Sequence, residues 1–369
     1  MITIPFLKKF QFPKLTLPFS AGGRSYVGID IGSDSVKVVQ LRKERERAIL
    51  ETYGELKVVR YFRREAAAGR GGFLGVSDQS VTDLLTDVLR EANVTAKRAV
   101  FAVPATASFV TLVRFPLLKL EEIEAAVPFE AKKYIPIPVQ EVALDWQVIE
   151  EDPEDRRVDV LLAAAPREVI AKYQRVAELA KLELEAVEIE SFSLVRALLA
   201  LDRGVSALIN WGALATTITV VDERRVRVNH NFGRGAREIT TALAQSLGVS
   251  AERAEAVKRD VGLSEKPEEK EIADVILPIV DTTLADLERV MLAYNRQSKR
   301  KIEKVVLAGG GASLAGLVNH VAKHFSLETS MGDPFARTIF PAFLAPVLKE
   351  IAPTFGVAVG LALRPITPT

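Results

Sequence analysis

The sequence predicts an α/β protein made of two related halves, with a small α+β subdomain inserted between its elements. Two observations predict this class. Strand-like and helix-like apolar patterns alternate along the chain, and the strand–glycine turn–strand arrangement at Gly28–Lys37 recurs about 180 residues later at Asn210–Thr217. A repeat of that length indicates a duplicated half rather than a solenoid, whose repeats are far shorter. The length of 369 residues agrees, because it exceeds what one compact core usually holds.

The composition excludes several classes of protein. With 48% hydrophobic and 26% charged residues, the chain is neither disordered nor fibrous. The net charge of +1 gives no global electrostatic case for nucleic acid, and we expect no nucleic-acid partner. The absence of cysteine excludes disulfides, thiol catalysis and zinc–thiolate sites.

The first ordered half is expected to begin after an N-terminal tail at residues 1–23. Prolines prevent this tail from forming one helix, and Lys8, Lys9 and Lys14 interrupt any signal-peptide apolar region. Two interpretations stay open: a tail without fixed structure, or a segment whose phenylalanines and lysines touch a membrane surface or a partner.

Residues 24–104 are expected to form the first half. YVGIDIG and SVKVVQLRK predict a hairpin, ILETYGELKVVRYF a third strand and AVFAVPA a fourth. Between the last two, residues 66–76 predict a glycine-rich loop, and Ser77 or Asp78 is expected to cap an amphipathic helix.

Residues 105–182 are expected to form the inserted subdomain. The order is strand SFVTLVRFPLL, helix EEIEAAVPFEAKKY, strand EVALDWQVIEED, strand VDVLLAAAP and helix REVIAKYQRVAELAKLEL. Pro128 falls inside the first helix and should kink it, because proline removes one N–H bond.

The second half is expected at residues 204–351, with a helical subdomain at about 233–300. Residues 183–203 and a C-terminal helix at 352–369 are expected to complete the first half. The apolar stretch 351–366 is interrupted by proline, glycine and arginine, so we expect core rather than a membrane span.

Two glycine turns carry possible phosphate chemistry. A turn rich in Gly and Ser can aim N–H groups at phosphate oxygens, Asp30 can hold Mg²⁺ through water, and Lys37 can reach a phosphate. The sequence Gly309-Gly310-Gly311 follows a strand and opens a helix, where an adenosine can lie on bare backbone. Each turn alone is also explained as an ordinary hairpin or a tight strand-to-helix connection.

Taken together, the hairpin loop, its repeat and the late glycine turn resemble the actin-like ATPase superfamily. Within it the chain is similar to the PilM family of type IV pilus assembly, which is akin to FtsA. The resemblance spans about residues 24–364 and is most specific at EEIEAAVPFEAKKYIPIPVQEVALDWQVI. VLLAAAPREVI, AEAVKRDVG, GGGASLAGL and FGVAVGLALR also match. The implied fold is an actin-like (RNase H-like) two-lobed fold with an inserted α+β subdomain.

The resemblance implies a site for ATP or ADP with Mg²⁺, the metal held by Asp30 through water. The implied first phosphate loop comprises Asp30, Gly32, Ser33, Ser35 and Lys37, and the second comprises Asn210, Gly212, Thr216 and Thr217. Residues flanking the ribose and adenine would be Glu255 and Lys258, with Gly309, Gly310, Gly311 and Ser313 on the other side. Glu190 is placed near the γ-phosphate, as a possible catalytic group.

Two departures from the family pattern bear on catalysis. Asn210 stands where active relatives place an aspartate, and Leu214 stands where they place a glycine. Losing one key charge can slow phosphoryl transfer on the order of a hundredfold. We therefore expect nucleotide binding with slow or absent hydrolysis, and a binding protein rather than an enzyme.

The resemblance also implies partners and location. A PilN-type inner-membrane protein would dock its N-terminal cytoplasmic peptide beside the strands at Ala107–Phe115 and Val142–Ile149, by main-chain pairing. The chain would be cytoplasmic, peripheral to the inner membrane, and in contact with other pilus components, with self-association open. One alternative is an FtsA-like membrane-tethered filament protein, disfavoured because the sequence stops at RPITPT. The other is a small-molecule kinase, which Asn210 disfavours.

Three further groups of residues need no bound ligand to explain them. His320 and His324 share a helix face but lack a third metal ligand, so a solvated surface is favoured. Trp146 and Trp211 are expected in the core or at an interface. Phe129 and Tyr134 are candidate partner contacts.

Overall fold

A computed structural model describes residues 24–62 and 75–367. The tail predicted at 1–23 and most of the glycine-rich loop predicted at 66–76 lie outside the described residues. The described chain divides into two compact units. Unit 1 holds the residues up to Ala200, Pro334–Lys349 and the chain from Val357 onward, and unit 2 holds Leu201–Asp333 and Glu350–Gly356.

The main sheet of unit 1 has six strands in the order β14-β3-β2-β1-β4-β8. The strands are β1 Ser25–Ile31, β2 Ser35–Glu44, β3 Arg47–Lys57, β4 Arg98–Val103, β8 Glu183–Ile189 and β14 Thr338–Ile339. The first three form antiparallel hairpins, and β4 runs parallel to β1. Because β14 pairs with β3, the segment Pro334–Lys349 groups with unit 1 rather than with the second half, where the sequence placed it.

A second, three-stranded antiparallel sheet lies within unit 1, in the order β5-β7-β6. Its strands are β5 Phe109–Pro116, β6 Val142–Asp152 and β7 Arg157–Pro166. The helices of unit 1 up to residue 200 are α1 Asp78–Glu91, α2 Leu120–Ala131, α3 Arg167–Leu179 and α4 Glu190–Leu198. Ile123 and Val127 of α2 join Val113 and Val160 of this sheet in one hydrophobic cluster, so the segment has a core of its own.

Local sequence signals set the helix ends. Ser77 caps α1, since its side chain accepts a hydrogen bond from the Ser80 N–H at 3.0 Å. Pro128 lies inside α2, as the sequence indicated.

Unit 2 contains a five-stranded sheet in the order β11-β10-β9-β12-β13. Its strands are β9 Val205–Trp211, β10 Thr216–Asp222, β11 Arg225–Phe232, β12 Lys304–Ala308 and β13 Glu328–Met331. Its helices are α5 Ala236–Leu247, α6 Ala251–Val261, α7 Lys270–Gln297 and α8 Leu317–Phe325. β9, β10 and β11 form antiparallel hairpins and β12 runs parallel to β9, which repeats the order of β1 to β4. The predicted recurrence of the glycine hairpin is therefore present in the structure.

The last helix, α9 (Ala345–Leu363), contributes residues to both units. Together with the preceding turn it is, in the described part of the chain, the one helix whose length and composition would suffice to cross a membrane. Its C-terminal residues are buried in unit 1, where a Cβ on Gly28 would lie 2.1 Å from the Ala358 carbonyl oxygen and one on Gly360 would lie 1.9 Å from that of Ser193. Such close backbone contacts are those of a core helix.

Candidate nucleotide site

The two predicted phosphate loops share one turn geometry. The Gly32 N–H donates to the Ser35 carbonyl at 3.0 Å, and the Gly212 N–H donates to the Ala215 carbonyl at 2.9 Å. A Cβ on either glycine would lie within 3.0 Å of the carbonyl oxygen that it bonds. Both turns are therefore closed too tightly for a larger residue at the glycine.

In unit 1, the carboxyl groups of Asp30 and Glu190 both have raised pKa values, and the charge of Asp30 acts on Glu190. Burial raises the pKa of Asp30, with the charge of Lys37 opposing the shift. Burial and the charge of Asp30 raise the pKa of Glu190 to about 7, although the Ala105 N–H donates to its Oε1 at 3.1 Å. Glu190 is the first residue of α4 and follows directly on β8, so the strand end sets its position.

Lys37 on β2 is the strand-register partner of Asp30 on β1. Its ammonium group donates to Ser35 Oγ at 2.6 Å and pairs with Glu55 Oε1 at 3.5 Å. Burial raises the pKa of Glu55, but the charge of Lys37 and a hydrogen bond with Ser35 outweigh it, and the net shift is downward. Lys37 is therefore ion-paired with Glu55, and its ammonium group could exchange this pairing for a phosphate.

Tyr173 belongs to this group, although no motif in the sequence selects it. It is 0% exposed on α3, and its ring centroid lies 5.4 Å from that of Phe101. Burial and the charges of Asp30 and Glu190 raise the pKa of its hydroxyl well above the usual value. In the helical sequence REVIAKYQRVAELAKLEL, nothing separates this tyrosine from an ordinary core residue.

In unit 2, the close approach of Trp211 explains why two of the three consecutive glycines have no side chain. Gly309 has φ +87°, and a Cβ there would lie 2.5 Å from the Trp211 carbonyl oxygen. A Cβ on Gly311 would lie 2.5 Å from Cδ1 of the same indole. Gly310 is exposed, and the atom nearest to a Cβ added there would be Thr354 Cγ2, at 3.8 Å. Of the three, Gly310 is the one whose bare backbone is open to a ligand.

The second loop is held by the start of α5. The Ala236 and Arg237 N–H groups donate to the carbonyls of Gly212 and Ala213, each at 2.9 Å. A Cβ on Gly235 would lie 2.5 Å from the Ala213 carbonyl oxygen, which fixes a glycine at a position that the sequence analysis passed over.

Two threonine hydroxyls of β10 form hydrogen bonds with β11 and the residues that follow it. Thr216 Oγ1 donates to the Arg234 carbonyl at 2.8 Å, and Thr217 Oγ1 lies 3.4 Å from Asn231 Oδ1. Both threonines are buried, so their first role is to fix the loop.

Of the two residues expected to depart from the family pattern, Leu214 lies on this loop and Asn210 lies near the end of β9, which leads into it. The Leu214 side chain is 44% exposed at the tip of the turn. The Asn210 side chain faces the third glycine segment, where its Oδ1 would lie 2.6 Å from a Cβ on Gly309. A neutral amide and an isobutyl group thus stand at the two positions where the resemblance implied a carboxylate and a glycine.

The residues expected beside the ribose and adenine bond to each other. The Lys258 ammonium group donates to Glu255 Oε2 at 2.6 Å, to Thr240 Oγ1 at 2.9 Å and to the Ala236 carbonyl at 3.3 Å. Burial raises the pKa of Glu255, but the hydrogen bonds from Lys258 and Thr240 outweigh it and leave the pKa lowered. The pair joins α6 to α5.

The residue types of unit 1 fit a divalent cation with phosphate. Asp30 and Glu190 offer hard oxygen donors. Burial raises the pKa of both groups, and the charge of Asp30 adds to the shift at Glu190, so a bound cation would favour their charged forms. Within residues 24–62 and 75–367, no group of three or more His, Asp or Glu side chains is arranged to hold a metal by itself. A cation bound by these two groups would need further ligands, such as phosphate oxygens.

The histidines near α8 are paired with carboxylates. His320 Nε2 lies 2.6 Å from Asp281 Oδ1, and His324 Nε2 lies 3.7 Å from Glu288 Oε2.

Comparison with known proteins places these features in a family. The family model described as type IV pilus assembly protein PilM matches residues 28–366. The cell division protein FtsA of Streptococcus pneumoniae is 22% identical over 364 residues, which covers 84% of this chain and 75% of that protein.

Solved structures show the same fold. A PilM–PilN type IV pilus biogenesis complex gives a TM-score of 0.80 at 24% identity, covering 93% of this chain and 99% of that one. The ethanolamine utilization protein EutJ of Carboxydothermus hydrogenoformans gives 0.54 at 17% identity, covering 94% and 90%. MreB5 of Spiroplasma citri bound to ADP gives 0.50 at 12% identity, covering 91% and 94%. Because the family model covers nearly the whole described chain, this protein has the actin-like ATPase fold and belongs to the PilM family of type IV pilus assembly proteins.

Proposed function

We propose that the chain binds ATP or ADP with Mg²⁺ and turns the nucleotide over slowly or not at all. The observation that carries the proposal is a pair of glycine turns with the same hydrogen-bond pattern. The first turn follows Asp30, whose charge contributes to the raised pKa of Glu190. Ser33 of the first turn and Ser313 after the third glycine segment are exposed. An MreB5 relative with the same fold is described as bound to ADP, which supports the ligand class.

Residue roles follow from the chemistry of each group. The N–H groups of the first turn, together with Ser33 and Lys37, would hold phosphate oxygens, and Asp30 would hold Mg²⁺ through water. Gly310 would receive the purine face and Ser313 would lie beside it, with Glu255 and Lys258 near the ribose. Magnesium supplies charge neutralisation for the phosphates when it is bound. Thr216, Thr217, Gly309 and Gly311 would support the site through the loop rather than touch the nucleotide.

Slow turnover has a physical reason in the second loop. Phosphoryl transfer depends on charges placed around the γ-phosphate and the attacking water. Asn210 brings no negative charge to orient Mg²⁺ or water, and the bulk of Leu214 hinders approach of backbone N–H groups to phosphate.

The nucleotide proposal is tested by calorimetric titration of the full chain with ATP and with ADP, each with and without Mg²⁺. We expect saturable, magnesium-dependent binding of both, and phosphate release far below the 1–1000 per second typical of enzymes. Heats that show no saturation, or turnover in the enzymatic range, would contradict the proposal.

We further propose that the chain docks the N-terminal cytoplasmic peptide of a PilN-type inner-membrane protein. The structural relative at TM-score 0.80 is described as a PilM–PilN complex, which supports the partner. The sheet β5-β7-β6 supports the mode of binding, because β5 and β6 each pair with β7 alone among the described strands. An extended peptide can add to such an edge through main-chain hydrogen bonds, while the pockets beside it select side chains.

N-methylation of the peptide tests this mode without changing the protein. In an edge strand, successive N–H groups point alternately towards and away from the neighbouring strand. Methylating every second amide in one register should weaken binding by about tenfold or more, and the other register should bind as the parent does. Equal effects of both registers would exclude strand addition, and no saturable binding of the parent peptide would exclude the partner.

Location follows from this partner. A chain that docks an inner-membrane protein from its cytoplasmic side is cytoplasmic and peripheral to that membrane, where it can link the membrane partner to other pilus assembly components.

A further inference from the structure

The β5-β7-β6 sheet has a second face, opposite the one that α2 covers. Val113 of β5 and Val160 of β7 pack with α2 in one hydrophobic cluster. Because successive side chains of a strand point to opposite faces, the neighbouring residues Arg114 and Asp159 lie on the second face, where they are register partners. A basic and an acidic side chain therefore meet on this face of the sheet.

β6 adds two polar residues to the second face. Gln147 is the register partner of Leu161, which lies two residues after Asp159 on β7, and Glu150 is the register partner of Asp159 itself. Paired residues of an antiparallel sheet lie on the same face, so Gln147 and Glu150 share the face of Asp159. The four residues that we call the polar cluster are Arg114, Gln147, Glu150 and Asp159.

Asp159 is a member of the polar cluster whose hydrogen bonding is incomplete. It is 6% exposed, and its Oδ1 is buried without a hydrogen-bond partner among the described residues. The Nε of Arg114 lies 3.7 Å from this oxygen, which is an ion-pair distance but too long for a hydrogen bond. Gln147 Oε1 is likewise buried without a partner in the described part of the chain. Because an unsatisfied buried carboxylate oxygen is costly, this one indicates a hydrogen-bond donor that comes from another molecule.

The charges of the two edge strands indicate the side from which that donor comes. β5 contains Arg114 and no acidic residue, whereas β6 contains four acidic residues and no basic one. A cationic donor would be repelled by Arg114 on the β5 side and attracted on the β6 side. A strand added beside β6 would lie two strand spacings, or about 10 Å, from β7. A lysine or arginine side chain and the side chain of Asp159 span that distance together.

We propose that the peptide docked on this sheet adds beside β6 and places an arginine or lysine side chain against Asp159. The inference rests on the proposed docking of a partner peptide, and it adds the docking edge and the chemistry of one peptide residue. The basic group donates hydrogen bonds to Asp159 Oδ1 and Gln147 Oε1, so that both buried acceptors are satisfied. Main-chain pairing along β6 supplies affinity for any extended peptide, and this contact supplies selection by side chain.

The experiment is calorimetric titration of the full chain with synthetic peptides of the N-terminal cytoplasmic segment of a PilN-type protein. In the modified peptides each arginine is replaced in turn by citrulline and each lysine by norleucine, which removes the charge and nearly keeps the length. We expect one such replacement to weaken binding by about tenfold or more, because a buried charge pair loses one partner. Asp159→Asn should weaken binding of the unmodified peptide to a similar extent. The two changes together should cost no more than either alone, since they remove the same contact.

Glu154→Gln is the matched control, because Glu154 is an exposed carboxylate in the turn between β6 and β7 and its loss changes the net charge equally. The neutral peptides test the contact on an unaltered protein, so a loss of folding in Asp159→Asn does not decide the result. Gln147→Lys tests the docking edge. It places a cation on β6 beside Asp159, where the basic group of the peptide would lie, and should weaken binding by about tenfold or more.

The outcomes separate this inference from the docking on which it rests. No saturable binding of the unmodified peptide would overturn both. Saturable binding that no neutral replacement weakens, or that Asp159→Asn weakens no more than Glu154→Gln does, would leave the docking in place and overturn the basic contact. Binding to Gln147→Lys as tight as to the parent protein would exclude β6 as the docking edge.

Discussion

Replacing Glu190 by glutamine should stabilise the protein, and the gain should depend on pH. The pKa of Glu190 is raised from 4.5 to about 7 by burial and by the charge of Asp30. At 1.36 kcal/mol per pKa unit, the shift corresponds to at most about 3 kcal/mol. Glu190 is partly exposed, so solvent screening reduces the expected gain at pH 8.5 to about 1–2 kcal/mol.

The direction of the pH dependence follows from proton binding by the folded and the unfolded chain. The folded protein holds the Glu190 proton up to a higher pH than the unfolded chain does, so stability falls as pH rises from about 4.5 to 7. Glutamine removes this penalty, and Glu190→Gln should therefore match the parent near pH 4.5 and exceed it above pH 7.

Urea unfolding of both proteins at pH 4.5, 6 and 8.5, followed by circular dichroism, measures the difference. Glu185→Gln is the control, because Glu185 is an exposed carboxylate on the neighbouring strand β8 and should give no pH-dependent gain. A Glu190→Gln protein less stable than the parent at pH 8.5, or a gain of equal size at pH 4.5, would refute this explanation of the carboxyl pair.

The glycines beside Trp211 should separate into structural and ligand-facing positions. Gly311→Ala should lower the melting temperature, because the added Cβ falls 2.5 Å from the indole and overpacking costs about 1–3 kcal/mol. Gly310→Ala should melt like the parent but bind nucleotide more weakly in calorimetry, and a melting temperature lowered as in Gly311→Ala would contradict this. Asn210→Asp should restore a carboxylate and raise phosphate release by about tenfold or more, whereas an unchanged rate would show that the second loop is not what limits turnover.

Periodic and capping signals made much of the fold predictable. The glycine hairpin repeat and the cap at Ser77 are local features, and the structure confirms both. The pairing of β14 with β3 was not predictable, because a strand of two residues carries no pattern and its partner lies far away in sequence.

The site was only partly predictable for the same reason. Glycine-rich turns can be recognised in the sequence, but the residues that pack against them in space cannot. Tyr173 joins Asp30 and Glu190 through tertiary packing alone, and its helical spacing is that of any core residue. The sequence predicts Gly309 and Gly311 beside a ligand, and it does not reveal that a Cβ at either position would meet mainly Trp211, about a hundred residues earlier.

The fate of bound nucleotide separates a binding protein from an enzyme. The full chain is incubated with Mg²⁺ and radiolabelled ATP for one hour and retained on a filter, and the retained nucleotide is identified by chromatography. We predict retention of label that is still almost wholly ATP. Absence of retained label, or retention of ADP alone with phosphate in the filtrate, would contradict a nucleotide site that binds without rapid turnover.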